Sequence, residues 1–387
     1  MNEAPDREVL KQLIDVLNKN DYLHTARFPA LQRPLWMLVL EPNVLSRYIQ
    51  GKTSSFTKTA FPSLYGNRWF KDHEDAKILY RLFYLNHQVR INSLNRIVGE
   101  KLLSGLVASE IVKDSTGFAK SVYRLTPWRN SIFLCDPDQG AHRTIEYYVY
   151  VGYDSVILAD FVRKTMLTRE YSRGLDLCAG TAFQGHNIRK KCRSVLAAEY
   201  NPRAVDFARA TLYANNMDDS FKVVQSDLWE NVSGSFDIIV SNPPYYPVSE
   251  CFRNSSILDV FGGADHGMEK PLIIFDGFGQ YLETGGSGAL LAASPVIAGI
   301  DTLIGKLEPI AEKHGLETIL IPWKYTNIKL EPEYQVKHGI DYLIHYIIYT
   351  RKTGNGAVNT AGYPFFVKFL EKLQIAIQKR LPSWSER

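Results

Sequence analysis

The chain has 387 residues, of which 45% are hydrophobic and 22% charged, and a formal net charge of +4. This is the balance of a soluble globular protein long enough for two domains, and the small charge excess does not by itself indicate nucleic acid. No apolar run approaches the roughly 18 residues needed to span a membrane. The four cysteines (Cys135, Cys178, Cys192, Cys251) have neither CxxC nor zinc spacing, which predicts free thiols in a reducing cytoplasm and no metal.

The opening MNEAPDREVLKQL is charged and unlike a signal peptide. From Pro5 to Lys19, apolar residues at Val9, Leu10, Leu13, Ile14, Val16 and Leu17 predict an amphipathic helix. Pro29 and Pro34 interrupt the next stretch. The run from Gln50 to Asn67, rich in Ser, Thr, Gly and aromatics, reads as an irregular connector.

Between Asp72 and Cys135 the pattern sharpens. HEDAKILYRLFYLNHQV predicts a helix with Ile78, Leu79, Leu82, Phe83 and Leu85 inward. INSLNRIVGEKLLSGLVAS predicts two short helices broken near Gly99. EIVKDS, FAKSVYRLTP and SIFLCDP predict three strands around turns at Thr116–Gly117 and Arg129–Asn130. Three helices, a strand and a hairpin follow the order of a winged helix. From Arg68 to Asn130 there are 11 Lys and Arg against 6 Asp and Glu, so the chain's positive charge concentrates here. Such a surface suits a nucleic acid or an acidic partner, or is simply a solvated face.

The segment Glu146–Met166 leads into an alternation of strands and helices that ends at Pro247. GLDLCAGTAFQG (Gly174–Gly185) predicts strand, glycine turn and helix. Val195–Asn216, Val223–Glu230 and Asp237–Pro247 supply a strand and helix, a strand with an acidic turn, and a strand ending in Asn-Pro-Pro-Tyr. This alternation implies a parallel sheet with crossover helices, whose ligands sit beyond the carboxyl ends of the strands. Polar residues fall at those ends: Asp176 and Gly180, Glu199, Asp227, and Asn242 to Tyr245. Glu199 stands 23 residues beyond Asp176, close to the roughly 20 at which an acid meets ribose hydroxyls in nucleotide-binding sheets. Asp227 could accept from an exocyclic amino group. His186 and His266 read as surface or capping residues, and Cys178 as a packing residue. Arg189, Lys190, Lys191 and Arg193 read as a solvated basic cluster around the start of the second helix.

These turns, in this order, resemble the class I S-adenosylmethionine-dependent methyltransferases, and NPPY resembles their amino- and amide-nitrogen branch. That branch includes nucleobase N-methyltransferases and release-factor glutamine methyltransferases. The resemblance covers about Val151 to Lys352. A dinucleotide-binding dehydrogenase is disfavoured because NPPY has no role there. The resemblance implies a Rossmann-like seven-stranded sheet, with ETILIPWKY and DYLIHYIIYTRK as its closing antiparallel pair. It implies S-adenosylmethionine as cofactor, held by Asp154, Ser155, Asp176, Cys178, Ala179, Gly180, Thr181, Glu199, Tyr200, Asp227, Leu228 and Asn242. Asp154 and Ser155 are equally suited to capping a helix N-terminus. Cys178 and Ala182 replace glycines of the family's turn, and they fit if the backbone there avoids positive φ.

Catalysis is expected from Asn242, Pro243 and Tyr245. The Asn242 side-chain oxygen and the Pro243 carbonyl would accept the two hydrogens of a planar nitrogen, with Tyr245 stacking on the substrate and Tyr246 assisting. The acceptor would belong to RNA, DNA, a protein glutamine or a small molecule. Alternatives are other cofactor chemistry on a metabolite or peptide, such as cyclisation, and a non-catalytic binding module. The expected division is residues 1–70 helical or irregular, 71–143 a winged-helix substrate-recognition domain, and 144–387 the methyltransferase domain. After NPPY, FGGADHGMEK reads as a loop at the substrate mouth. PLIIFDGFGQYLETGGSGALLAAS then reads as helix, GG turn and fifth strand, IDTLIGKLEPIAEKHG as a helix, and YPFFVKFLEKLQIAIQKRL as a last helix packed by Phe365, Phe366, Phe369, Leu370 and Leu373.

Overall fold

Asp6 caps the first helix, α1 (Arg7–Lys19), its carboxylate accepting from the backbone N–H groups of Glu8 and Val9 at 2.9 and 3.1 Å. Leu10, Leu13, Ile14 and Leu17 form its buried stripe, as the spacing predicts. The structure, a computed structural model, describes residues 5–27, 69–137, 148–217, 219–247, 265–326 and 336–361. The expected connector at 50–67 and the expected last helix lie outside these residues.

Next come α2 (Glu74–Phe83), β1 (Val89–Arg90), α3 (Ile91–Val98), α4 (Glu100–Ala108), β2 (Val112–Ser115) and β3 (Phe118–Ser121). Gly99, at φ 82°, ends α3 and begins α4, which is the expected break. The three strands form an antiparallel sheet in the order β1-β3-β2. FAKSVYRLTP is not one strand. Ser121 Oγ donates to the Tyr123 carbonyl at 2.6 Å and accepts from its N–H, a local turn that competes with the ladder. The chain therefore leaves β3 and enters a separate pair, β4 (Arg124–Trp128) with β5 (Ser131–Cys135).

The catalytic-type segment follows as α5 (Tyr153–Phe161), β6 (Tyr171–Leu177), α6 (Phe183–Ile188), β7 (Cys192–Glu199), α7 (Pro202–Ala214), β8 (Phe221–Gln225) and β9 (Phe236–Ser241). It closes with α8 (Glu269–Tyr281), β10 (Leu282–Ile297), β11 (Ile300–Asp301), α9 (Ile304–His314), β12 (Leu316–Thr326), β13 (Ile340–Lys352) and β14 (Ala357–Thr360).

The chain divides into two compact units. The first comprises Met1–Val151, Gly180–Phe183 and Asn201–Val223, so it takes α7 out of the alternating segment. Its core joins α1, α2 and α7 in one cluster, the last contributing Ala204, Phe207, Ala210 and Ala214. No boundary at residue 70 divides this core. Asn201 caps α7 with Pro202 at the first helical position. Arg203 makes a two-pronged ion pair with Asp136, which is 1% exposed and also accepts from the Val149 N–H.

The second unit holds the large sheet, ordered β8-β7-β6-β9-β10-β13-β12-β14 with β11 beside β10. Neighbours from β7 through β10 run parallel, while β13 is antiparallel to both β10 and β12. Seven of these strands make the expected sheet, and β11 and β14 are short additions. The winding reverses between β6 and β9, and ligands of such sheets bind outside the carboxyl ends there. No helix among the described residues is long and apolar enough to cross a membrane.

Candidate active site

Three of five successive residues after β6 are left-handed: Cys178 at φ 58°, Gly180 at 55° and Ala182 at 60°. The condition set for Cys178 and Ala182 to fit, a backbone that avoids positive φ, is therefore not met. The turn keeps the glycine-type backbone and carries the strain of a Cβ at both positions. The Ala179 N–H donates to the Ala198 carbonyl at 3.2 Å, tying the turn to the end of β7. A Cβ built on Gly180 would meet nothing within 4 Å, so the turn opens onto space that a ligand can enter. Ala179 and Thr181 are buried.

Asp176, at the end of β6, is fully buried. Its Oδ2 accepts from the Gly185 N–H at 2.6 Å, and Oδ1 has no hydrogen-bond partner among the described residues. Burial pushes its carboxyl well above the usual carboxylate range, opposed by the Gly185 N–H and reinforced by the charge of Glu199. A buried carboxyl with one oxygen unsatisfied, beside an open turn, suits a ligand that brings a donor or a positive charge.

Glu199 ends β7 half-buried, and its carbonyl accepts from the Ser226 N–H at 2.9 Å. Ser226 Oγ donates to the Leu228 carbonyl at 2.8 Å and accepts from the Asn231 N–H at 2.9 Å. That bracing holds Leu228 at φ 44° and shapes the acidic turn. A cleft of about 200 Å³ lies here, lined by Tyr200, Gln225, Ser226, Asp227, Glu230 and Asn231. Tyr200 is 49% exposed, so an aromatic face and the Asp227 carboxylate are both open to a flat ligand. Sequence reading missed Gln225, Ser226 and Asn231, whose only signal was their position flanking Asp227.

At the end of β9, Asn242 is fixed by the start of α5. Its Nδ2 donates to Ser155 Oγ at 3.0 Å and to Asp154 Oδ2 at 3.3 Å, and the Tyr245 hydroxyl donates to the same Asp154 oxygen at 3.3 Å. A carboxylate can only accept, so this contact fixes which way the Asn242 amide faces. The amide N–H groups are thus committed and Oδ1 is the end left for an incoming donor. Asp154 and Ser155 are not N-caps, because Gly152 holds that position without a side-chain bond. The Ser155 carbonyl accepts from Gln184 Nε2 at 2.8 Å.

Behind this turn lies an aromatic group that sequence reading also missed. His345 of β13 meets Tyr245 edge-on at 5.9 Å between ring centroids, and contacts Tyr246 and Trp323 at 6.3 and 5.4 Å. Burial, with Lys324 nearby, pushes its imidazole well below the ordinary value and keeps it neutral. A lone His in an apolar strand gives no signal of this contact. Of the surface or capping reading of His186, the surface half is corrected, because the residue is 5% exposed. His266 sits in the turn Asp265–Gly267 at φ 55°, its ring against His338. The basic cluster lies between α6 and β7, at the end of β7 away from Glu199, where Lys191 pairs with Glu170 at 2.7 Å. Cys178 is half-buried, and burial pushes its thiol far up, which makes it a packing group.

The family profile described as "Methyltransferase small domain" matches residues 155–255. A Methanocaldococcus jannaschii protein described as a protein N5-glutamine methyltransferase is 34% identical over 166 residues, covering 41% of this chain and 78% of the relative. The chain belongs to the S-adenosylmethionine-dependent methyltransferases. The release factor glutamine methyltransferase of Agrobacterium fabrum is 27% identical over 35% of this methyltransferase, which spans half of that relative's length. The ribosomal RNA small subunit methyltransferase C of Haemophilus influenzae is 34% identical over 19% of the chain and 22% of its own length.

Proposed function

We propose that the methyltransferase transfers a methyl group to a planar –NH2 nitrogen of a macromolecule, an amide of glutamine or an amino group of a nucleobase. The observation that carries this reading is the fixed Asn242 amide. Such a nitrogen is a poor nucleophile because its lone pair is delocalised into the neighbouring π-system. Asn242 Oδ1 and the Pro243 carbonyl accept its two hydrogens, turning the lone pair out of conjugation and stabilising the positive charge that develops. Tyr245, anchored through its hydroxyl, walls the pocket against which the planar group stacks. The methylated nitrogen is acidic enough to lose its proton to water, so a strong base is not needed.

The open cradle at Gly180 and the unsatisfied Asp176 oxygen fit the cofactor the family implies. S-adenosylmethionine supplies an electrophilic methyl group on a sulfonium sulfur. The turn from Cys178 through Thr181 would hold its methionine portion, Glu199 its ribose hydroxyls, and Tyr200, Asp227 and Leu228 its adenine. Asp154 and Ser155 act in this reading as positioning residues for Asn242. We further infer that residues 74–121 form a winged helix, which the β1-β3-β2 order and the helix–strand–helix–helix–strand–strand sequence support. The two glutamine methyltransferase relatives and the rRNA methyltransferase relative support both classes of acceptor.

Asn242→Ala tests the mechanism. Removing one preorganised polar group of this kind costs about 10² to 10³ in kcat. Isothermal calorimetry should show S-adenosylmethionine binding nearly unchanged while turnover falls by that factor. Asn242→Asp keeps an acceptor but loses the Nδ2 bonds to Asp154 and Ser155 and sets two carboxylates together, so it should lose turnover as well. Loss of cofactor binding in both variants would assign Asn242 a structural role and end this mechanism.

A further inference from the structure

The small sheet in the N-terminal unit has one buried and one open face. In the register of β2 and β3, Lys113 stands directly opposite Lys120 and Ser115 opposite Phe118, while β1 places Arg90 opposite Phe118. Residues directly opposite share a face, so Arg90, Lys113, Ser115, Phe118 and Lys120 lie together on one side. All five are exposed, and Phe118 keeps 42% of its surface in contact with solvent. Their partners on the other side, Val89, Val112, Ala119 and Ser121, are buried. Asp114 is on that side too, opposite Ala119, and is exposed on the edge strand β2, so the open face carries three cations and no carboxylate.

Two features of this face are costly to the fold alone. Like charges directly opposite across an antiparallel pair are destabilising, and none of the three cations has an ion-pair partner among the described residues. An exposed aromatic ring between cations adds nothing to the core. A ligand that is both polyanionic and flat-faced makes use of all of it. We propose that this sheet face binds single-stranded RNA, with phosphates on Arg90, Lys113 and Lys120 and a base stacked on Phe118. Ser115, directly opposite Phe118, adds a hydroxyl able to pair with a 2′-hydroxyl, which DNA lacks.

An acidic polypeptide would use the cations and leave the Phe118 ring in water. Duplex nucleic acid read by a helix is disfavoured by α4, whose side chains include one cation, Lys101, and whose Gly105 faces Val9 of α1 so closely that a Cβ there would lie 3.6 Å from the Val9 side chain. The inference rests on the methyl-transfer reading only in making such an RNA the carrier of the accepting nitrogen.

The test is fluorescence anisotropy of the full chain with a fluorescein-labelled mixed-sequence RNA of about 12 nucleotides, titrated over a range of salt. On a single strand each neutralised phosphate contributes about 0.7 to the slope of log K against log salt. The triple variant Arg90→Ala, Lys113→Ala, Lys120→Ala should therefore lower the slope by about 2. Phe118→Ala should weaken binding at least about fivefold with the slope unchanged. Lys113→Glu should weaken binding while raising Tm, because it replaces a repulsive cross-strand pair by an attractive one. A triple variant that binds as the wild type, DNA of the same sequence bound equally well, or polyglutamate bound in place of RNA would each overturn the proposal. Calorimetry with S-adenosylmethionine on the same proteins separates the two ideas. RNA binding without cofactor binding defeats the methyl-transfer reading alone, and cofactor binding without RNA binding defeats the sheet-face proposal alone.

Discussion

At Cys178 the backbone holds an L-residue at φ 58°, where the left-handed conformation costs roughly 1–2 kcal/mol. Glycine would remove that strain but add about 0.5–1 kcal/mol of chain entropy to folding. Cys178→Gly is thus expected to stabilise the protein by about 0.5 kcal/mol, read as a higher urea midpoint with cofactor affinity retained. A lower midpoint would mean that the thiol's packing outweighs the strain. His345 gives a second test at this scale. Its folded-state pKa lies well below that of the unfolded chain, about 6.5, so in acid the unfolded state binds the proton that the native state refuses. The contribution is complete above about pH 6.5 and is lost as pH falls below it, by up to about 1.4 kcal/mol per unit. Urea stability of the wild type should drop between pH 7.5 and 5.5 by about 1 kcal/mol more than that of His345→Phe. Equal drops in the two proteins would mean that His345 is accessible to protons when folded.

Among the elements, the turn Asp265–Gly267 and the NPPY turn are packed backbone to backbone. A Cβ on Gly267, which is at φ 87°, would lie 2.5 Å from the Tyr245 carbonyl oxygen and 2.9 Å from the Pro247 nitrogen. Neither can move without shifting the Asn242–Tyr245 geometry. Gly267→Ala should therefore lower kcat by at least about tenfold, since small misplacements of positioned groups carry penalties of that order or larger. Unchanged turnover would show that the turn relaxes away from NPPY. This contact could not be read in the sequence, because it depends on two segments about twenty residues apart meeting in space. What could be read was local or periodic: the 3- and 4-residue apolar spacing of α1, the Gly99 break, the antiparallel β12 and β13, and the polar residues after each parallel strand. What could not be read was set by competition between local and long-range bonds. Ser121 turns its own backbone and splits an apparently continuous strand, and the two-residue β1 exists only through its pairing with β3. The site was legible as a set of turns, yet the Asp154–Asn242 contact that orients it spans 88 positions.

At the scale of the whole molecule, the expected methyltransferase domain, residues 144–387, would be a unit of its own. The packing argues otherwise. Helix α7, which lies between two strands of the large sheet in the chain, buries Ala204, Phe207, Ala210 and Ala214 in the same cluster as α1 and α2. Its polar side chains are committed the same way. Thr211 Oγ1 accepts from the Leu134 N–H, Asn215 exchanges hydrogen bonds with both backbone groups of Ile132, and Arg203 pairs with Asp136. Removing residues 1–143 would leave Phe207 exposed and the buried-side guanidinium of Arg203 without its carboxylate. Burying a large side chain contributes about 1.5–3 kcal/mol, so losing this stripe and its ion pair is comparable with the whole 5–15 kcal/mol stability of a domain. A chain beginning at Thr144 is therefore expected to be insoluble or molten, with no sharp thermal transition and no cofactor binding. In the intact chain, Phe207→Ala should cost about 3–5 kcal/mol by urea denaturation. A shortened chain that melts sharply and binds S-adenosylmethionine would instead show that α7 folds against the sheet without the N-terminal unit.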